Sequence, residues 1–228
     1  MKQAVFQQLE AHMQSCMRDS AHDKEHVYRV LYTALDLAAY EEAVDLDVLL
    51  AACLLHDIGR QAQYDDPTVC HAAYGAEMAH DYLLQQGFSL AFADRVAACI
   101  RTHRFRKSEQ PASIEAKILF DADKLDATGA MGVARTLQYN GKMDEPLYSL
   151  TENGTVSNGR DDPVPSFLQE YCFKLQKLYG RFYTAHGAAL AAQRQPAAEA
   201  FYLQLLHEAQ AAYGQKDRLI AEILEKEP

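Results

Sequence analysis

Cysteine is sparse and scattered. The 228 residues contain five, Cys16, Cys53, Cys70, Cys99 and Cys172, an odd number with no C-x-x-C spacing. That excludes a disulfide framework and a thiolate zinc knot, and predicts a reduced, cytoplasmic protein. No run of about 18 apolar residues occurs, so no membrane-spanning helix is expected. Met1-Lys2-Gln3-Ala4 leads into an amphipathic stretch, not the apolar block of a signal peptide. Positive charge is also short: 22 Lys and Arg against 32 Asp and Glu give a formal net charge of −10. Such a surface repels a phosphate backbone and argues against binding of polymeric nucleic acid. A small phosphorylated ligand can still meet a local basic pocket.

Period-two alternation and internal repeats are missing too, so β content should be minor and the fold all-α. Helical periodicity is what the chain does have. Val5, Leu9, Met13 and Cys16 form one stripe, and Val27, Val30, Leu31, Leu35 and Ala38 continue the pattern over about 22–41. The segment Leu49-Leu50-Ala51-Ala52-Cys53-Leu54-Leu55 is apolar on every side and is closed by His56-Asp57-Ile58-Gly59, which predicts a buried helix halted near Gly59. Further helices are expected at about 72–86, 90–104, 113–126, 128–139, 166–183 and 196–225. Between Gly141 and Pro165 the turn residues Asn153-Gly154 and Asn158-Gly159 and three prolines predict a long surface loop. The chain is read as one domain over 1–228: a core at about 20–140, the loop at 141–165, and C-terminal helices at 166–225 packed on that core.

Ionisable groups at the end of an apolar helix make His56-Asp57 the pivotal pair. Burying them costs several kcal/mol unless something compensates, and a metal cation does so. Taken alone, the pair also reads as a dipole-stabilised terminal His beside a turn-capping Asp. His22-Asp23 and His80-Asp81 repeat the dipeptide among polar neighbours, so the apolar lead-in carries the information. Asp23, His26 and Arg29 are spaced so that successive pairs neighbour on a helix, with His26 beside the buried stripe. Asp121-Ala122-Asp123-Lys124-Leu125-Asp126 sets three carboxylates after the apolar run Ile118-Leu119-Phe120. Imidazoles, the His-Asp pair and a distant Asp make a nitrogen and oxygen donor set without sulfur. It suits Mn²⁺, Fe²⁺, Zn²⁺, Ni²⁺ or Mg²⁺.

The order His26 … His56-Asp57 … Asp123 resembles the H…HD…D signature of HD-domain metal-dependent phosphohydrolases. The flanks Asp23–Val30, Leu54–Arg60 and Glu115–Arg135 are similar to those of the YedJ/YpgQ-like members, and the likeness covers roughly residues 20–210. The resemblance implies an HD-type helical bundle with extra C-terminal helices. It also implies one divalent ion, Mn²⁺ favoured, held by His26, His56, Asp57 and Asp123. Asp123 takes the family's A-D-K/R-L slot, so it is chosen over Asp121; Asp126, one turn on, can support it. His71 and His103 resemble histidines that binuclear members use for a second metal. Arg104 replaces the second histidine of their His-His pair and no GYP follows, so one metal is expected. His71 is then placed to bind phosphate and His103 to transfer a proton; solvated helix-end histidines are the plainer alternative. Arg60 and Lys124, beside ligand positions, with Arg29 and Arg104, would meet phosphate charge. Arg106 and Lys107 read better as a solvated helix end. Asp65 lies where some HD nucleotidases place an acidic catalytic residue, although Asp66 is adjacent. The implied activity is hydrolysis of a nucleotide, most simply a nucleoside or deoxynucleoside triphosphate to monophosphate and pyrophosphate, by a monomer or homodimer. A 5′-nucleotidase, an alarmone hydrolase, a di-iron oxygenase on the same scaffold and a non-catalytic metal-binding module are the alternatives.

Overall fold

The computed structural model describes residues 1–17, 24–104, 109–162 and 164–224, with Asp217 described by its backbone alone. His22, Asp23, Arg106 and Lys107 lie outside these residues. The helices follow as α1 (Gln3–Cys16), α2 (Lys24–Ala38), α3 (Leu46–Leu55), α4 (Arg60–Asp65), α5 (His71–Gln85), α6 (Leu90–Thr102), α7 (Ile114–Leu125), α8 (Gly129–Lys142), α9 (Phe167–Phe173), α10 (Ala185–Tyr213) and α11 (Lys216–Leu224), with a 3-10 turn at Leu175–Gly180. The only β pairing among the described residues is an isolated antiparallel bridge between Leu150 and Val156, inside the long loop. The chain is all-α.

Contacts divide it into two compact units: Met1–Asp126 with Phe182–Leu190, and Ala127–Arg181 with Ala191–Pro228. In the first unit α3 is the central helix. Seven of its ten residues are buried, and α1, α2, α6 and α7 all pack against it. Its start is fixed by Asp45, whose carboxylate accepts from Asp47 N and Val48 N at 3.1 and 3.2 Å, a cap of about 1 kcal/mol. Ser89 and Ser113 cap α6 and α7 in the same way. Cys53 and Cys99 are buried in this core; burial raises both thiols, that of Cys99 to about 12, so neither is reactive at neutral pH.

The turn after α3 lies against α5 because two glycines face each other. A Cβ at Gly59 would stand 2.6 Å from Gly75 N and from His71 O. Backbone atoms on another element cannot yield as a side-chain tip does. Gly59→Ala should therefore cost about 1–3 kcal/mol and lower the melting temperature by several degrees, measured by thermal circular dichroism. An unchanged melting curve would show that the approach is slack.

In the second unit Val133, Phe167, Leu168, Tyr171, Leu175, Ala198 and Tyr202 form the core, with the Tyr171 and Tyr202 rings stacked at 4.3 Å. Two features differ from the sequence expectation. The helix expected over 166–183 ends at Phe173: Lys174 leaves the helical region at φ −125°, and a 3-10 turn follows. The last long helix starts at Ala185 and runs through Pro196, so the proline marks no boundary.

Candidate metal centre

Four helix ends converge in the first unit. His26 sits in the first turn of α2, His56 is the C-terminal cap of α3, His71 is the first residue of α5 and His103 caps α6 at its C-terminus. Asp57 follows α3 directly, and Asp123 lies in the last turn of α7. The C-termini of α3, α6 and α7 thus bring their carbonyl ends to one place, which favours positive charge there.

All four imidazoles are buried, as is Asp57, and each ring is fixed through Nδ1. His56 Nδ1 donates to Cys53 O at 2.8 Å and His103 Nδ1 to Ile100 O at 2.6 Å. His26 Nδ1 donates to Asp126 Oδ2 at 2.7 Å. His71 Nδ1 lies 2.5 Å from Gln63 Oε1 and has an Arg60 N–H beside it as well, at 3.1 Å. Cys53 O and Ile100 O only accept, so in His56 and His103 the proton sits on Nδ1 and Nε2 carries the lone pair, and Asp126 favours the same tautomer of His26. Burial acts the same way, lowering the pKa of His56, bringing His103 to about 4 and His71 to about 2. Burial alone would raise Asp57 and Asp123. The Arg60 charge and nearby histidines outweigh it for Asp57, and the Lys124 charge and the His26 contact do so for Asp123, so both stay well below the usual carboxylate range.

Acceptors therefore face acceptors. His26 Nε2 lies 3.4 Å from His56 Nε2, 3.4 Å from Asp123 Oδ1 and 3.6 Å from Asp57 Oδ2. Two donors each about 2.1 Å from one ion subtend roughly 3.0–3.4 Å at octahedral to tetrahedral angles. Unprotonated nitrogens and ionised oxygens at that spacing repel unless a cation lies among them, so the donor set fits a divalent ion. Two groups of three donors meet this description: His26, His56 and Asp123, and Asp57, His71 and His103. Asp57 joins them, with Oδ2 toward His26 and Oδ1 at 3.7 Å from both His71 Nε2 and His103 Nε2.

The structure brings together His26, His56, Asp57, Asp123, His71, His103, Arg60 and Lys124. Arg60 donates to both oxygens of Asp57, at 2.9 and 3.1 Å. Lys124 Nζ bonds Asp123 Oδ2 at 2.7 Å and His103 O at 3.3 Å. Arg29 grips Asp126 with two nitrogens, at 2.7 and 3.1 Å. Arg104 is half-buried, and its charge helps keep His71 neutral. Asp65 is exposed at the end of α4, accepts from Gln61 Nε2, and pairs with none of the four histidines among the described residues. Asp126 acts on His26, not on the neighbouring Asp123. Gln63 went unforeseen, although its position one turn after Arg60 on a short helix was a usable signal. The carbonyls of Cys53 and Ile100 gave one as well, since a histidine at a helix end reaches the carbonyl three residues back.

Asp121 is buried and faces away from these groups. It accepts from Tyr183 N, Thr184 N and Thr184 Oγ1 at 2.7–3.0 Å, holding the start of α10. Asp121→Ala leaves those donors buried and unpaired, at about 1–3 kcal/mol. Its ion content per chain should stay that of the wild type while its melting temperature, compared as chelated protein, falls; Asp123→Ala should lose the ion and, chelated, melt close to chelated wild type. Loss of the ion in the Asp121 variant would contradict this division of labour.

A family model described as the HD domain matches residues 24–128. The YpgQ protein of Bacillus subtilis is 36% identical over 157 residues, 65% of this chain and 71% of that protein. Its crystal structure in complex with ADP superposes with a TM-score of 0.68 at 28% identity, covering 89% of this chain and 97% of that one. A Lactobacillus plantarum structure gives a TM-score of 0.73 at 26% identity over 92% of this chain and 99% of the other. An HD-superfamily hydrolase from Bacillus thuringiensis gives 0.66 at 26% identity, covering 91% and 98%. No helix among the described residues is long and apolar enough to cross a membrane. With the HD pair at the centre of a buried histidine and aspartate cluster, and the signature in its family order, the chain belongs to the HD-domain family.

Proposed function

We propose that this protein is a divalent-metal-dependent phosphohydrolase acting on a nucleotide, with a nucleoside or deoxynucleoside triphosphate split to monophosphate and pyrophosphate as the preferred reaction. The observation that carries this reading is the convergence of four buried imidazoles on two ionised carboxylates, with cationic side chains at the margin. When bound, a divalent ion there would polarise a phosphoryl oxygen and acidify a water. His26, His56, Asp57 and Asp123 are the residues proposed to hold it, and Mn²⁺ is the ion proposed.

The chain's own groups do the rest. The histidines and Asp57 are closed to solvent, while the side chains of Arg29, Arg60, Lys124 and Asp123 keep 35, 20, 16 and 15% exposure. A polyphosphate therefore approaches from the side where three cations stand in an otherwise acidic chain, and they offset charge gathering on its oxygens. Arg104 is a fourth candidate for that contact. His103 Nε2, with its proton on the far nitrogen, can accept a proton from water, and His71 offers a second such nitrogen beside the phosphate path. Asp65 has no part in this arrangement. ADP in the YpgQ structure supports a nucleotide as the ligand.

The test is elemental analysis of the purified protein together with a nucleotide panel followed by phosphorus NMR. Pyrophosphate release from triphosphates is the expected product pattern. Orthophosphate from monophosphates would instead indicate a 5′-nucleotidase, and nucleotide binding without turnover would overturn the enzymatic reading.

A further inference from the structure

The two donor groups are not equivalent, and the difference lies in how much carboxylate charge each has to set against a resident cation. In the first group the oxygen facing His26 is Asp123 Oδ1, whereas Lys124 takes the other oxygen, Oδ2. That group also has Asp57 Oδ2 nearby, so two carboxylates serve it. In the second group the oxygen facing both histidines is Asp57 Oδ1, which accepts from Arg60 at 2.9 Å. The same Arg60 nitrogen lies 3.1 Å from Asp57 Oδ2 on the first group's side, but there Asp123 supplies a second carboxylate to offset its charge. A second Arg60 nitrogen lies 3.1 Å from His71 Nδ1. The second group has no carboxylate of its own beyond the shared Asp57.

We infer that Arg60 decides how many ions the centre holds: its guanidinium acts as a built-in cation that keeps a second divalent ion out of the Asp57, His71 and His103 group. The inference rests on the metal-binding reading above and adds to it. Arg60 has a fixed charge at every working pH, and it lies within about 5 Å of any ion held by Asp57 Oδ1. Repulsion of a divalent ion at that distance, at an effective dielectric constant near 20, weakens second-ion binding by roughly ten-thousandfold or more. The consequence for this chain is that His71 and His103 keep their Nε2 lone pairs free. The two histidines then serve as proton acceptors or phosphate contacts and not as metal ligands. Arg60 is thus a positioning residue that selects the number of ions.

Metal-free protein, equilibrated with Mn²⁺ and passed through a desalting column, can be counted for ions per chain and read by electron paramagnetic resonance. Wild type should hold one ion and give an isolated Mn²⁺ spectrum. Arg60→Met, which keeps the length of the stem, should hold two and give the spectrum of a coupled pair. Its second-ion affinity should exceed that of wild type by roughly ten-thousandfold. Arg60→Gln carries the same expectation, and Arg60→Lys, keeping the charge, should stay at one ion. The double variant R60M/H103Q should return to one, since it lacks a donor of the second group. Two ions in wild type, or one ion in both R60M and R60Q, would overturn the inference while leaving the metal reading intact. No ion in wild type would overturn the metal reading and this inference with it.

Discussion

Asp57→Ala should strip the divalent ion and abolish nucleotide hydrolysis while leaving the helical fold in place. The expectation follows from the position of this one side chain. Its Oδ2 lies 3.6 Å from His26 Nε2 and 3.9 Å from His56 Nε2, and its Oδ1 faces His71 and His103. No other carboxylate among the described residues faces both donor groups. Removing a contact that merely orients a ligand typically costs ten- to a hundredfold in metal affinity, so loss of the shared carboxylate should exceed about a hundredfold. Compared as chelated proteins, variant and wild type should differ much less in stability. The carboxylate is desolvated, its removal relieves that cost, and Arg60, left without its acceptor, retains access to water. His56→Ala should behave alike towards the ion, with a larger loss of stability from the cavity in the core. The check is ion content by elemental analysis, turnover on triphosphates, and far-ultraviolet circular dichroism on the same samples. A folded Asp57→Ala protein that retained full turnover would remove Asp57 from the reaction and the proposed function with it.

How much of this centre was legible beforehand depends on what each feature needs. His56-Asp57 stood out because α3 is apolar all round, and an ionisable pair on such a helix demands compensation. The fold class and most helices followed from the 3.6-residue period. Choosing Asp123 over Asp121 needed the family resemblance, since the sequence places both carboxylates beside the same apolar run. The structure separates them by direction: Asp121 turns to the start of α10 and Asp123 to His26. The protonation pattern was out of reach. It depends on Asp126 and Gln63 arriving at His26 and His71, and on carbonyls three residues back at His56 and His103, which only three-dimensional placement supplies. The break after Phe173 was hidden for a different reason. Phe167, Leu168, Tyr171, Cys172 and Leu175 keep helical spacing across it, so burial alone does not register the change to a 3-10 turn. In α10 the misreading came from Pro196: the alanine-rich stretch before it has little apolar periodicity, which left the proline as the strongest local signal.

The ion's contribution to stability gives the other large expected effect, and a graded one. A ligand present at a thousandfold its dissociation constant stabilises the state that binds it by about 4 kcal/mol. For a chain of this size that corresponds to a rise of about 8–16 °C in melting temperature. Chelated wild type should recover this rise on addition of Mn²⁺, because the donor group consists of groups that repel one another until a cation joins them. His26→Ala and Asp123→Ala, lacking a donor, should show almost no rise. Asp126→Asn should fall between. Its amide oxygen can still accept from His26 Nδ1, but the charge that strengthens that contact and anchors Arg29 is gone. A ten- to hundredfold loss of affinity removes about 1.4–2.7 kcal/mol of the stabilisation, so about half the rise should remain. The order wild type, Asp126→Asn, then the two ligand variants distinguishes residues that hold the ion from one that orients a holder. If Asp126→Asn matched the ligand variants, Asp126 would itself have to be counted among the donors. If all four proteins gained equally, the ion would be binding elsewhere.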